Sequence, residues 1–211
     1  KFMAELVKEE SGLRTDRLMS HIFVMDVPHY AKLLLITDAE INIAPTLHHK
    51  ADIVQNAIDL AHVLGIVQPK VAILSAVEEV NPKIPSTVDA AALCKMADRG
   101  QITGALVDGP LGFDNAISKM AADAEAIRSD IAGDADIVVA PDLEAGAMVA
   151  KQLIYLASAE AAGIILGARV PIMLTSRSNS RLAKLASCAL AQLYVNQHQP
   201  MRAISTAARL A

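Results

Sequence analysis

Short runs of consecutive apolar residues alternate along this chain with longer segments whose apolar positions recur every three or four residues. That alternation predicts an α/β protein with a mainly parallel sheet flanked by helices. The runs place strands at about 21–27 (HIFVMDV), 33–37 (LLLIT), 71–76 (VAILSA), 103–108, 136–140 and 170–174 (VPIML). Between them, Ile53, Ala57, Leu60, Ala61 and Leu64 keep helical spacing and stop at Gly65, a C-cap position. Ser86-Thr87-Val88-Asp89 reads as a capping-box-like start for a helix through Leu93 and Met96 to Gly100. A third helix is expected from about Gly146 through Leu153 and Leu156 to Gly163, and a last one from about Asn179 to Gln197. Residues 163–170 read as a crossover between subdomains.

Two of the strands break in a similar way. Ile137-Val138-Val139-Ala140-Pro141 runs into Asp142 and, past Glu144, Gly146; Ala105-Leu106-Val107 runs into Asp108, Gly109 and Pro110. Each is expected to deliver a carboxylate to a glycine-containing turn at the rim of the sheet. In open α/β sheets ligands bind beyond such carboxyl ends.

Composition narrows the class of partner. The 211 residues are 53% hydrophobic and 20% charged, enough for a large core. A net charge of -4 lacks the clustered Lys and Arg that a nucleic-acid surface requires, so a small molecule or a second copy of the chain is expected. No apolar run reaches the ~18 residues of a membrane span, and the first residues lack a signal peptide's apolar stretch. Cys94 and Cys188 lie in Ala/Leu-rich helical patterns that suit a reducing compartment, so a cytoplasmic location is expected.

The densest polar cluster is Thr175-Ser176-Arg177-Ser178-Asn179-Ser180, between a predicted strand and a predicted helix. Hydroxyls, a guanidinium and a helix N-terminus together suit an anion. The plainer reading makes Ser178, Asn179 or Ser180 an N-cap and Arg177 a solvated charge. Asp108 and Asp142 divide in the same way between bases or hydroxyl binders and simple backbone caps. His48 and His49 are adjacent and have no third ligand at suitable spacing, so no metal site is expected. Gly100-Gln101-Ile102-Thr103-Gly104 has neither dinucleotide-fingerprint nor P-loop spacing.

Four collinear segments together resemble the phosphate acetyltransferase and phosphate butyryltransferase family: TDAEINIAP (37–45), VDGPLGFDNAIS (107–118), ADIVVAPDLEAGAMVAKQL (135–153) and GARVPIMLTSRSNS (167–180). DGPL and LTSR are closer to its butyryltransferase-like branch. The resemblance implies a two-domain fold like that of isocitrate and isopropylmalate dehydrogenases, with the active site in the interdomain cleft. Residues 20–163 would be the complete second domain, and 1–19 with 164–211 parts of a first domain whose remainder precedes Lys1. The implied activity moves an acetyl or butyryl group between coenzyme A and inorganic phosphate. The thiol attacks acyl phosphate directly in a ternary complex, with coenzyme A as substrate and no cofactor or metal. Ser176 and Arg177 would be catalytic, and Thr175, Ser178, Asp108, Gly109, Asp142 and Gly146 would bind substrate. A homodimer is also implied. Three departures from the family stand out: Ala147 where relatives commonly have Asn, Ser178-Asn179 where butyryltransferase-like relatives often read Ala-Asp, and Ala183 where the acetyltransferase branch has an acid, leaving the thiol base unassigned. The alternatives are a diverged relative using another acyl carrier and a non-catalytic phosphate- or metabolite-binding module.

Overall fold

The computed structural model describes residues 12–173 and 180–198. Its strands are β1 (Ser20–Asp26), β2 (Leu34–Thr37), β3 (Lys70–Leu74), β4 (Leu106–Leu111), β5 (Ile137–Val139) and β6 (Glu160–Leu166). They form one six-stranded sheet in the order β4-β3-β5-β2-β1-β6. β2, β5, β3 and β4 run parallel, and β1 runs antiparallel to both β2 and β6. The helices are α1 (Leu47–Val63), α2 (Pro85–Asp98), α3 (Phe113–Ile117), α4 (Lys119–Ala124), α5 (Leu143–Leu156) and α6 (Arg181–His198).

Successive strand residues point to opposite faces, and both faces are covered. Leu35, Val71, Ile73, Ile137 and Val139 join Ile22 and Ile164 in a core completed by α1, α2 and Leu190 of α6. Leu34, Ile36, Ala72, Leu74 and Val138 join Met25 in a second core beneath α3, α4 and α5. A strand buried on both faces has little room for polar residues, so β5 and all of β2 except Thr37, whose hydroxyl donates to the His21 carbonyl at 2.9 Å, appear in the sequence as apolar runs. Lys50 of α1, buried, reaches Asp89 of α2 at 2.7 Å and ties the first two helices together.

Three expectations needed correction. The fourth strand starts at Leu106 rather than 103, because the Gln55 side chain of α1 binds both the N–H and the carbonyl of Thr103 and His62 meets the Gly104 carbonyl at 2.8 Å. It also runs on to Leu111, so Asp108 lies mid-strand opposite Ala72 and not in a turn. The helix expected to reach Gly163 ends at Leu156, and Glu160–Leu166 becomes β6. Its Ala-Ala-Gly start reads as helical, but it pairs with β1 over seven residues and so supplies that strand's second partner. The strand expected at 170–174 shrinks, within the described residues, to an isolated bridge between Ile172 and Ile165. Pro171 beside it has no N–H to extend the ladder. Helix α2 begins one residue ahead of the expected box, with Ile84 as N-cap and Pro85 inside the first turn. The capping box is instead that of Thr46 and His49 at α1.

His21 of β1 is 1% exposed and packs edge-on against Phe23, at 4.4 Å between ring centroids. Its Nδ1 has no partner among the described residues. Burial pushes its pKa from 6.5 down to about 3, so the folded protein holds it neutral. The unfolded chain binds a proton there that the folded chain refuses, so stability is present above pH 6.5 and is lost as pH falls toward 3. Between pH 7 and pH 5, urea melts should show the wild type losing about 2 kcal/mol more than His21→Leu. Equal losses in the two proteins would contradict a neutral His21.

Candidate functional site

β5 passes into α5 on one face of the sheet, while its neighbours β2 and β3 pass into α1 and α2 on the other. Neighbouring strands whose chains diverge leave a crevice at their carboxyl ends. Here it is a cavity of about 250 Å³ lined by Ile36, Leu74, Ala76, Phe113, Ala140, Pro141, Ala145, Gly146 and Val149, with Ser75 as its one hydroxyl. On the other side of α5 lies a wider cleft of about 590 Å³, lined by Phe23, Glu40, Ala147, Lys151, Glu160, Ser180 and Ala183 among others. Helix α5 is the wall between them.

The loop after β2 is fixed by one carboxylate. Asp38, 3% exposed, accepts from the backbone N–H groups of Glu40 at 3.0 Å, Ile41 at 3.1 Å and Asn42 at 3.2 Å, and from the Asn42 amide. Burial raises its pKa and those hydrogen bonds pull it back only partly. The turn so formed carries Glu40 to the mouth of the cleft. Partial burial holds the Glu40 carboxyl above its ordinary range; the Lys151 charge opposes that shift and the Asp38 charge adds to it.

The two ends of the expected site are not brought together. Asp142 is the N-cap of α5, its Oδ1 accepting from the Ala145 N–H at 2.8 Å, beside the crevice wall. Gly146 permits close packing, since a Cβ there would stand 2.5 Å from the Asp38 carbonyl oxygen. Asp108 faces elsewhere, toward a separate cavity of about 460 Å³ with Asp98, Arg128 and Ser129 at the edge strand β4. Its Oδ1 accepts from the Gly109 N–H at 2.8 Å. Gly109 has φ of +157°, and a Cβ on it would lie 2.6 Å from the Ile73 carbonyl oxygen, so it too serves close packing. Thr175, Ser176, Arg177 and Ser178 lie outside the described residues. Ser180 borders the cleft and caps α6, its Oγ accepting from the Ala183 N–H at 3.0 Å. Ala147 and Ala183, two of the three departures from the family pattern, line this one cleft, and the third, Ser178-Asn179, lies outside the described residues.

Sequence reasoning overlooked Asp38 and Glu40. The signal available was an acid directly after the apolar run 33–37 with Asn42 four residues on, the pattern of a side chain closing a turn. Among the described residues no group of three or more His, Cys, Asp or Glu could hold a metal ion, and no helix is long and apolar enough to cross a membrane. His49 accepts from the Thr46 N–H and so serves the helix start.

A profile of the phosphate acetyl/butaryl transferase family matches residues 3–192. The chain belongs to this family. It is 60% identical over 194 residues to a phosphate acetyltransferase of Rhizobium meliloti, covering 92% of this chain and 61% of that one. It is 49% identical over 186 residues to a probable phosphate butyryltransferase of Bacillus subtilis, covering 88% of this chain and 62% of the relative. The chain thus spans about three fifths of the length of these two relatives. A branched-chain phosphotransacylase from Enterococcus faecalis superposes with a TM-score of 0.83 at 38% identity, over 92% of this chain and 69% of that one.

Within this family member the roles of Asp142 and Gly146 can be separated by stability. Asp142→Ala should cost about 1 kcal/mol and Asp142→Ser should restore most of it, because serine also caps. Gly146→Ala should cost about 1–3 kcal/mol through overpacking against Asp38. Urea melts measure all three, and an unaltered Gly146→Ala midpoint would contradict the close approach.

Proposed function

We propose that this protein transfers a short-chain acyl group between coenzyme A and inorganic phosphate. Family membership over residues 3–192 is the observation that carries the reading. The crevice at the carboxyl ends of β3 and β5 and the cleft along the other side of α5 add places for substrate.

In the acyl phosphate direction, the coenzyme A sulfur attacks the carbonyl carbon in a ternary complex. A C–S bond forms, the carbonyl oxygen takes up negative charge, and collapse breaks the C–O bond to release phosphate. Arg177 binds phosphate bidentately and meets the developing charge, and Ser176 donates to the same oxyanion. Thr175 and Ser178 add hydroxyls for phosphate oxygens. Asp142 and Gly146 bound the site by holding α5 in place, and Gly109 lets β4 approach Ile73 where the β3–β4 pairing shifts, with Asp108 closing on the Gly109 N–H. The thiol proton needs an acceptor, and Ala183 supplies none. Glu40, at the mouth of the same cleft and open to solvent, takes that place here. A carboxyl held above its ordinary range is better matched to a thiol than a fully exposed one.

The same reading gives a two-domain, dehydrogenase-like enzyme that works as a cytoplasmic homodimer, with residues 20–163 in one domain and 1–19 and 164–211 in the other. The segments at 13–15 and 167–169 support that grouping: Arg14 bridges Ala168, the Arg169 N–H donates to the Leu13 carbonyl at 2.9 Å, and Thr15 Oγ1 donates to the Gly167 carbonyl at 2.6 Å.

Thioester formation from coenzyme A and acetyl or butyryl phosphate tests the reading with the full-length protein. Ser176→Ala and Arg177→Ala should each lose about 10²–10³ in rate. Glu40→Gln should lose rate at pH 7 and recover it toward pH 9, where the thiol ionises unaided at an ordinary pKa of about 8.5. No turnover on either acyl phosphate sinks the activity, and wild-type rates in the Ser176 and Arg177 variants sink their assignment.

A further inference from the structure

We propose that the apolar crevice between the ends of β3 and β5 receives the acyl chain, and that it admits four-carbon groups at least as well as acetyl. This inference rests on the acyl-transfer reading above. It starts from the contrast between the two cavities that share α5. Ala147 and Lys151 face the wide cleft, together with the carboxylates of Glu40 and Glu160. Ala145, Gly146 and Val149, on the same helix, face the narrow crevice. Among the described residues, charged partners for a substrate line the first side alone.

The crevice offers an apolar ligand a fitted site. Leu74 and Ile36 come from strand ends, Phe113 from the start of α3 and Val149 from α5. Its one hydroxyl, on Ser75, is already engaged with Ser86 at 2.8 Å. Nothing among the described lining residues would bind a phosphate or a sugar. The volume, about 250 Å³, exceeds what acetyl requires. Taking each carbon group as similar to a water's share of about 30 Å³, a butyryl chain needs about 120 Å³. Ala76, Ala140 and Ala145 provide the room, since each contributes a single methyl to the wall. Burying two further methylenes in such a space favours the longer acyl group about tenfold.

The position also suits the chemistry. Pro141 and Ala145 at the crevice belong to the β5–α5 junction, at the carboxyl end of a parallel strand where ligands of open α/β sheets bind.

The test measures phosphate-dependent cleavage of acetyl-, butyryl-, 3-methylbutyryl- and hexanoyl-CoA by the full-length protein and two variants. Wild type is expected to use butyryl at least as well as acetyl in kcat/KM. Ala145→Leu, which fills the crevice, should lower the butyryl-to-acetyl ratio of kcat/KM at least tenfold. Val149→Ala, which widens it, should raise the 3-methylbutyryl-to-acetyl ratio several-fold. Acetyl turnover with ratios unchanged in both variants, or an acetyl-only profile in the wild type, overturns the pocket and leaves acyl transfer standing. Methyl NMR of Ile36, Leu74 and Val149 reads the pocket without turnover. Shifts with butyryl-CoA that coenzyme A alone does not produce support it, and matching spectra overturn it even if every thioester proves inert.

Discussion

Where β5 leaves the sheet, its chain turns toward one face, while β2 and β3 on either side of it turn toward the other. Everything proposed about the site depends on that divergence. It opens the crevice, makes α5 a wall with two different sides, and brings the start of α5 against the loop that follows β2. The sheet can sustain it because β2 and β5 are buried on both faces, which holds the strand ends rigidly while the loops part.

Two small features keep the diverging segments in contact. Gly146 has no side chain to separate α5 from the Asp38 carbonyl, and the Asp38 carboxylate gathers the N–H groups of residues 40–42 into a tight turn. A buried carboxylate is costly to desolvate, and those hydrogen bonds are its compensation. The consequence for function is placement: Glu40 and Lys151, carried by different elements, line one cleft with opposite charges. His21 is a contrasting case, a buried ring with one nitrogen unpartnered among the described residues, whose neutrality adds an acid limit to stability.

Much of this architecture was legible in the sequence. Apolar runs mark β1, β2, β3 and β5 because strands covered on both faces are apolar at most positions, with Ser20, His21 and Thr37 the buried polar exceptions among them. β6 escaped because Ala161, Ala162 and Gly163 are small enough for either a helix or a strand, and only pairing with β1 decides between them. The start of β4 escaped because a side chain from α1, Gln55, takes the backbone groups of Thr103. For the site, Asp142 caps α5 and Gly146 borders the crevice, and a cap and a close packing contact account for both. Asp108 appeared to end a strand because nothing local shows that Leu111 continues it. Glu40 was missed because its importance comes from sharing a cleft with Ala147 and Ala183, more than a hundred residues away in sequence.

The central claim is spatial: the acyl tail of the substrate lies in the crevice between the ends of β3 and β5. A crystal structure of the full-length protein with butyryl-CoA tests it most directly. Density for the four-carbon chain among Leu74, Phe113 and Val149 is the predicted result. Density for the thioester in the cavity beside Asp108 and Arg128, with the crevice empty, would contradict it.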